Sequence, residues 1–359
     1  MLKKMNKTKK NNLITYAMVI LAFVIMQILI SAGSISSLLQ GLMVPLCTYI
    51  ILAVSLNLVV GILGELSLGH AGFMCVGAFT SAFFSKCTRD VIASDGLRFF
   101  LALLIGIVTA AIFGMLIGIP VLRLKGDYLA IVTLAFGEII KNMVNVLYIG
   151  KDSKGFHVTT KDVMALNMDA DGTVILNGPQ GITGTPKNST FVIGFILILL
   201  TLFIVQNLIN SRDGRAIMAI RDNRIAAESI GINITKYKLM AFTISAAMAG
   251  AAGVLYAHNI STLTANTNNF GYNMSITILV FVVLGGIGNI RGSIIAAVIL
   301  TLLPELLRGM KDYRMLIYAI VLIVMMLFNW SPKAIEWREK LNDWRKKHFS
   351  FGKKAKEVE

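Results

Sequence analysis

The chain has 359 residues, of which 56% are hydrophobic and only 15% charged, and its mean hydropathy is +0.73. This is too apolar for an ordinary soluble domain and predicts an all-α polytopic membrane protein. The net charge of +15 collects beside hydrophobic runs and lacks interleaved aromatic residues. It therefore argues against nucleic acid as a partner and favours contact with anionic lipid.

The first apolar run, residues 13–30, follows a basic segment, residues 1–12, with five lysines and no acid. The run is longer than the apolar part of a usual signal peptide, so we expect a retained first span with a cytoplasmic N-terminus. Further runs long enough to cross about 30 Å of hydrocarbon lie at 38–60, 66–85, 98–121, 128–148, 190–210, 238–257, 273–290, 292–308 and 314–330. The prediction is about ten transmembrane helices over residues 13–330.

An even number of crossings places both termini on the same side of the membrane. The distribution of charge indicates that this side is the cytoplasm. The basic tail 331–359, the turn 123–127 and the loop 211–238, with six Arg or Lys against three acids, fit the cytoplasmic side. The loop 151–189 has four lysines and four aspartates and is assigned to the outside. Residues 308–314 are net basic although this map places them outside, and a miscounted span would explain them.

Two glycine-rich stretches interrupt the predicted spans. One contains Gly61 and Gly64, and the other contains Gly285 and Gly288. They are either corresponding broken-helix points of an internal repeat or glycines that let helices pack closely, and the short match favours close packing. Small residues at Ser245, Ala249, Gly250 and Gly253 similarly predict a packing face.

The loop 211–238 contains a short helix. Asp222 and Asn223 are good N-cap residues, residues 224–230 have helical composition, and Gly231 is a natural stop. A helix of about two turns is marginal alone in water, so it must pack against something. Spacing alone leaves open whether that is its own bundle or a soluble partner.

The stretch from Ala226 to Gly231 resembles the EAA loop of bacterial ABC importer permeases, with Ile225 in the place of the motif's glutamate. More widely, residues 214–257 are similar to the LivM-type permease family of branched-chain amino acid ABC transporters. The resemblance extends to GILGELSLGHAGF at 61–73, KGDYLAIVTLAFGEII at 125–140, NGPQGITG at 177–184 and LGGIGNIRGSIIAA at 284–297. It covers residues 36–330 in the family's order.

The resemblance implies a multi-pass protein of the bacterial inner membrane that works with a second permease subunit (LivH-like), two ATPase subunits and an extracytoplasmic binding protein. No GxxxxGK[ST] motif occurs, so ATP is expected on the partner subunits, with no cofactor and no enzymatic activity in this chain. The implied substrates are branched-chain amino acids. Urea, amides and other amino acids are the alternatives within related permeases.

In that picture the helix at 224–231 enters a groove on an ATPase subunit. Ala226 and Ala227 would keep the docking face small, Gly231 would allow a sharp exit, and Arg221 and Arg224 would reach acidic groups of the partner. The full set of predicted coupling residues is Gly214, Arg215, Arg221, Asp222, Arg224, Ala226, Ala227 and Gly231.

Glu138 is the ionisable residue of greatest interest, because it lies about 16 Å along its span from Asp127 at 1.5 Å per residue. Intramembrane carboxylates are costly and are functional candidates. Glu138 is therefore either part of a translocation pathway, where it would contact a substrate ammonium group, or a structural partner of Lys141. A pathway glutamate also fits an ion-coupled secondary transporter, against which the loop 211–238 argues.

The remaining chemistry-bearing residues predict structural roles. Cys47, Cys75 and Cys87 have no metal or redox spacing, and no paired aspartates, HExxH or GxSxG motif supports an intramembrane enzyme. Glu65 and His70 lie at a glycine-rich helix boundary and favour capping over proton transfer. Outside the membrane, a constrained turn is predicted at Asn177, Gly178, Gly181 and Gly184.

Overall fold

The computed structural model describes residues 7–33, 36–89, 91–124, 126–169, 172–307, 309 and 313–330. Within these ranges the helices are α1 (Lys7–Ser31), α2 (Ser37–Asn57), α3 (His70–Cys87), α4 (Asp95–Val121), α5 (Asp127–Val146), α6 (Phe191–Asn210), α7 (Arg212–Asp222), α8 (Arg224–Ser229), α9 (Ile234–Ala257), α10 (Thr267–Phe270), α11 (Tyr272–Gly285), α12 (Ile290–Leu306) and α13 (Arg314–Trp330). The strands are β1 (Tyr148–Asp152), β2 (Gly155–Thr159), β3 (Thr173–Asn177), β4 (Ile182–Thr183) and β5 (Thr262–Leu263).

The chain divides into two compact units, the first ending at Val298 and the second beginning at Ile299. The second unit contains the end of α12 and all of α13. The first contains the core, in which α3 and α9 are buried along most of their length and pack against α2 and α4. The predicted small-residue face of α9 is confirmed, because Ser245, Ala249, Gly250 and Gly253 are all buried.

Glycine allows this close packing of helices. A Cβ at Gly77 of α3 would lie 2.5 Å from the Cα of Gly250 in α9, and a Cβ at Gly106 of α4 would lie 3.0 Å from the carbonyl oxygen of Gly77. Three helix backbones therefore approach one another at a point where no larger side chain fits.

The prediction of a polytopic membrane protein is confirmed. By length and composition, seven segments of the described residues can cross a membrane: Asn12–Ser31, Ser37–Leu63, Asp95–Val121, Tyr128–Val146, Phe191–Asn210, Ile234–Ala257 and Thr267–Gly285. The other three predicted spans, 66–85, 292–308 and 314–330, overlap in sequence with helices α3, α12 and α13. These helices are not among the seven segments. Ten crossings are thus not confirmed and stay a prediction.

Helix α3 shows why hydropathy alone gives a poor count. Thirteen of its eighteen residues are buried within the protein, so protein rather than lipid surrounds it and its polar side chains can be satisfied there. The predicted span 66–85 also began too early, because α3 starts only at His70.

The segment between α5 and α6 forms one small antiparallel sheet, and a second one together with β5, which follows α9. The strand order is β2-β1-β3 in one, and β4 pairs with β5 in the other. The predicted constrained turn is confirmed, since Gly178, Gly181 and Gly184 have φ of +46°, +69° and +76° and the Asn177 amide donates to Gln180 at 2.8 Å. Several predictions lie outside the described residues. They concern the basic tail 331–359, the start of the basic N-terminus and most of residues 308–314.

Asp152 holds the β1–β2 hairpin together. Its Oδ1 accepts from the backbone N–H groups of Lys154 and Gly155 at 2.8 and 3.0 Å, and its Oδ2 lies 2.9 Å from Nε2 of His157 and accepts from Asp169 N–H at 3.4 Å. Burial by itself raises the pKa of this carboxyl, but the hydrogen bonds to its charged form outweigh burial, so the pKa lies below its ordinary value.

We expect Asp152→Ala to speed amide hydrogen exchange throughout the turn between β1 and β2 at pH 7. Because the pKa is depressed in the folded state, the charged carboxylate stabilises the hairpin fully at any pH above the pKa of the unfolded state, which is about 3.9. The difference between wild type and variant should therefore persist from pH 7 to pH 5 and shrink only below about pH 4. Asp162→Ala is the control, because within the described residues its side chain accepts a hydrogen bond from Ala165 N–H in its own turn and from no other group. Equal protection in wild type and Asp152→Ala at pH 7 would contradict this account.

Candidate functional site

Two membrane helices break at glycines, and the breaks lie against each other. Helix α2 continues into a π-helical turn, Leu58–Leu63, which ends at Gly64 with φ +81°. Helix α11 ends at Gly285, and the turn before α12 contains Gly288 with φ +80°. A Cβ at Gly61 would lie 2.6 Å from the Cα of Gly288. The two glycine-rich stretches therefore meet in a single contact.

Asn57 joins the two breaks. Its buried side chain accepts from the Gly288 N–H at 2.9 Å and donates to Ser293 Oγ at 2.8 Å. Sequence reasoning did not select this residue, although an asparagine inside an apolar span is itself a signal. Close packing, the favoured explanation of the glycines, is confirmed, whereas an internal repeat stays a prediction.

Helices α7 and α8 form the predicted loop segment, and α7 is fixed to the end of α6. Gly214 is buried, and a Cβ there would clash with the backbone of Leu208 and Ile209. The Ser211 hydroxyl accepts from the Gly214 N–H at 3.0 Å, and Arg215 donates to Asn210 O at 3.3 Å. Gly214 and Arg215 thus anchor the segment to its own chain.

The predicted short helix is confirmed as α8. The side chain of Asn223 accepts from the Ala226 N–H at 3.0 Å and caps the helix, whereas Asp222 is the last residue of α7. The helix is followed by Gly231 with φ +86°, a left-handed value that favours glycine.

The buried face of α8 packs against its own chain. Ala227 is only 2% exposed and forms an apolar cluster with Ile220 and Ile234. A small side chain at position 227 allows α8 to lie close to α7 and α9. Of the two alanines that we assigned to a docking face, Ala227 lies inside and only Ala226 is exposed.

The outward surface of α8 is instead dominated by two isoleucines. Ile225 of α8 is 81% exposed, and Ile230, the residue that follows the helix, is 75% exposed. Arg224 and Glu228 are exposed beside them. Sequence reasoning noted Ile225 only as a departure from the EAA motif and missed Ile230. Exposed isoleucines on an otherwise polar helix are typical of a surface that another protein covers.

Arg221 connects this segment to the broken helices. Its guanidinium donates to the carbonyl oxygen of Gly61 at 3.1 Å and to Asp222 at 2.8 and 3.0 Å, and its side chain fills the space that a Cβ on Gly64 would need. Nearby, Lys238 of α9 forms an ion pair with Glu65. Arg221 thus connects α7 to the π-helical turn that follows α2.

Glu138 belongs to a second polar cluster, between α5 and α11. One carboxylate oxygen pairs with Lys141, and the other accepts from the Tyr272 N–H, the first of α11, at 2.7 Å. Lys141 also donates to Thr267 Oγ1 at 3.2 Å. The structural partnership with Lys141 is therefore present, and Glu138 additionally caps α11. Its side chain is nevertheless 24% exposed, against 9% for Lys141.

Other predicted structural residues have partners. His70 is buried and lies 2.7 Å from Ser55 Oγ through Nε2, and the Glu65 carboxylate is occupied by Lys238. Cys47 and Cys75 are buried free thiols, as expected for small apolar side chains.

A comparison with known protein families shows the family of this chain. Residues 38–328 match the profile described as branched-chain amino acid transport system, permease component. The chain belongs to this family. The resemblance deduced from the motifs is thus confirmed, over nearly the range in which those motifs occur.

Relatives in this family have similar chains. The permease protein LivM of the high-affinity branched-chain amino acid transport system of Salmonella typhimurium is 35% identical over 363 residues, covering 91% of this chain and 75% of that protein. LivM of Escherichia coli K12 is 34% identical, covering 80% and 67%. The permease protein LivH of the same organism is 25% identical, covering 70% and 79%. No solved structure matches the chain.

We expect Arg221→Ala to loosen the segment formed by α7 and α8. Losing the partly buried hydrogen bond to Gly61, worth roughly 1 kcal/mol, should raise hydrogen exchange over residues 212–230 about fivefold. It should also raise exchange in the π-helical turn. Arg224→Ala is the matched control, because that side chain is exposed on the same segment. If both variants exchange alike, Arg221 does not hold the segment in place.

Proposed function

We propose that this protein is a membrane-spanning permease subunit of an ATP-driven importer that carries branched-chain amino acids across the inner membrane. The family match carries the proposal, and the relatives named LivM and LivH supply the substrate class. In this proposal a second, LivH-like permease completes the membrane part, two ATPase subunits bind ATP, and an extracytoplasmic binding protein delivers the substrate. This chain itself carries no catalysis.

The orientation follows from charge. Both termini and the segment 211–238 lie in the cytoplasm, ten helices cross the membrane, and the sheets formed by β1 to β5 face the binding protein. The six basic residues against three acids in 211–238 support this assignment. Labelling of residue 227 from the exterior of intact cells would overturn it.

The importer is tested by purifying the complex and reconstituting it in vesicles with the binding protein. We expect leucine, isoleucine and valine uptake that requires ATP. Uptake by this chain alone, without ATP or an ATPase subunit, would favour an ion-coupled secondary transporter instead.

Helix α8 is the element that receives force from an ATPase subunit. Its exposed isoleucines would insert into an apolar groove on that subunit, while Ala227 and Arg221 hold the helix on its own bundle. ATPase closure would then move α7 and α8 together with the π-helical turn, because Arg221 joins them. Such rigid-body rocking is a common route to alternating access.

We expect Ile225→Asp to lower ATP-driven uptake by at least about tenfold while the permease stays in the membrane, because the loss of one central apolar anchor costs more than 1 kcal/mol in many interfaces. ATP hydrolysis by the complex should lose its dependence on substrate. Gly231→Val should act in the same direction, because valine disfavours φ +86°.

Ile225→Leu is the control for this prediction. Leucine keeps an apolar side chain of the same size at this exposed position, so uptake should be unchanged. Normal coupling in Ile225→Asp would remove α8 from the docking surface.

Glu138 is proposed to border the translocation pathway and to attract the substrate ammonium group. Its partial exposure beside Lys141 supports this role, since an intramembrane carboxylate that is still accessible is a functional candidate. We expect Glu138→Gln to raise KM for leucine severalfold while the amount of folded protein changes little. The reason is that glutamine still accepts the hydrogen bond from Tyr272 N–H but carries no charge. Unchanged uptake by the variant would exclude this role.

A further inference from the structure

An apolar groove lies between α4 and α5, and α3 forms its floor. The sheet of β1, β2 and β3 closes one end of the groove with the side chains of Ile149, Phe156 and Leu176. The volume of the groove is about 620 Å³. Met143 and Phe156 line it and are nevertheless 62% and 57% exposed. The groove is therefore open along one side to whatever surrounds the protein.

The hydroxyl groups in the lining of the groove are already satisfied. The Oγ1 atoms of Thr80 and Thr109 lie 2.9 Å apart. Each also lies within hydrogen-bond distance of a carbonyl oxygen of its own helix, at 2.7 Å from Val76 for Thr80 and at 2.9 Å from Ile105 for Thr109. An amino acid in the groove would leave its charged groups without partners, which is costly, and water avoids apolar cavities. The occupant has to be apolar.

The length of the groove matches one lipid chain. Its lining on α3 runs from Val76 to Cys87, which is about 16 Å at 1.5 Å per residue. An acyl chain occupies one leaflet, or about half of the 30 Å hydrocarbon core. A membrane-spanning helix fits less well, because it would run into the sheet that closes the groove. The dimensions therefore favour an acyl chain.

Lys86 places a cation at the closed end of the groove. It precedes Cys87 in α3, and its Nζ donates to the carbonyl oxygens of Val174 at 2.9 Å and Ile175 at 3.4 Å. These bonds hold the ammonium group in place, and they leave one of its three N–H groups for a ligand. No carboxylate of the described residues pairs with it.

Lys151 supplies a second cation at the same end. It lies opposite Phe156 in the β1–β2 pair, so both side chains are on one face of the sheet. The rings of Phe156 and Phe83 of α3 lie 6.0 Å apart, which shows that this face is turned toward the groove. Within the part of the chain that the structure describes, Lys151 forms no ion pair. The ammonium groups of Lys86 and Lys151 are both within electrostatic range of Cys87.

We propose that this groove binds one acyl chain of an anionic phospholipid, with the phosphate of the headgroup at Lys86 and Lys151. The apolar lining accepts the chain, and the two cations select the negative charge. The bound lipid holds the sheet of β1, β2 and β3 against the ends of α3 and α5. The site needs only a chain embedded in a membrane, so it does not depend on the proposed importer.

The test uses phosphatidylglycerol with a photoactivatable diazirine in one acyl chain. The full-length protein, purified with its partner subunits, is placed in phosphatidylcholine vesicles that contain a small fraction of this lipid. After illumination, the labelled peptides are identified by mass spectrometry. Phosphatidylcholine with the same photoactivatable chain is the control lipid. Val108 of α4 reports ordinary lipid contact, because it is 53% exposed and does not line the groove.

We expect phosphatidylglycerol to label residues 79–87 of α3 at least about tenfold more than phosphatidylcholine does, because each cation near the membrane surface favours an anionic lipid by roughly fivefold. The two lipids should label Val108 about equally. Lys151→Ala should lower the preference at α3 about fivefold. Lys161→Ala is the matched control, since it removes an exposed lysine between the same two helices, and it should leave the preference unchanged.

Val144→Trp tests the position of the chain. Val144 lines the groove, so a tryptophan there fills part of it and should lower the labelling of α3 by phosphatidylglycerol severalfold. Val146→Trp is the matched control, because Val146 belongs to the same helix, is 51% exposed and does not line the groove. This variant should be labelled like the wild type.

Equal labelling of α3 by the two lipids would overturn the proposal, because no headgroup would then be selected. An unlabelled α3 would overturn it as well, since no chain would enter the groove. A preference that survives Lys151→Ala would place the phosphate elsewhere, and unchanged labelling of Val144→Trp would place the chain elsewhere. The measurements need neither substrate nor ATP. A failure of the proposed importer is therefore seen separately from a failure of this proposal.

Discussion

The side chain of Asn57 satisfies backbone and side-chain groups where two membrane helices lose their regular hydrogen bonding. Hydrocarbon supplies no substitute for a missing backbone hydrogen bond, so a break in a membrane helix survives only where protein supplies the partner. Asn57 does so by accepting from Gly288 and donating to Ser293. The contact of Gly61 with Gly288 brings the two breaks close enough for one side chain to reach both. The irregular turn after α2 and the turn between α11 and α12 depend on each other for this reason.

In the proposed mechanism this junction receives the movement of α8, because Arg221 reaches it from outside the bundle. The carbonyl of Gly61 lies in the π-helical turn, and it accepts from the guanidinium of Arg221. A helix segment that another protein is proposed to push is thereby attached to the least regular part of the membrane core. A regular α-helix resists such displacement, because its carbonyls are committed to its own ladder. A break is the place where a small movement can change helix direction.

The two proposed interaction surfaces follow opposite rules. On α8, which lies in a loop, the groups that indicate a partner are apolar. Isoleucines exposed to water are typical of a surface that another protein covers. At Glu138 of α5, within a predicted span, the unusual group is polar, since a partly exposed carboxylate at membrane depth is a functional candidate. Each surface is recognised by groups that its surrounding medium does not favour.

The sequence by itself determined the membrane class, the approximate positions of most spans, the short helix with its Asn223 cap and Gly231 stop, and the family. These properties depend on local composition and spacing, which can be read along one chain. It did not determine that Ala227 faces inward, that Asn57 joins both breaks, or that Glu138 caps α11. Those facts depend on which distant residues meet, which periodicity along one chain cannot show. Only the tertiary structure decided them, because the cost of a buried or exposed polar group is set by neighbours far away in sequence.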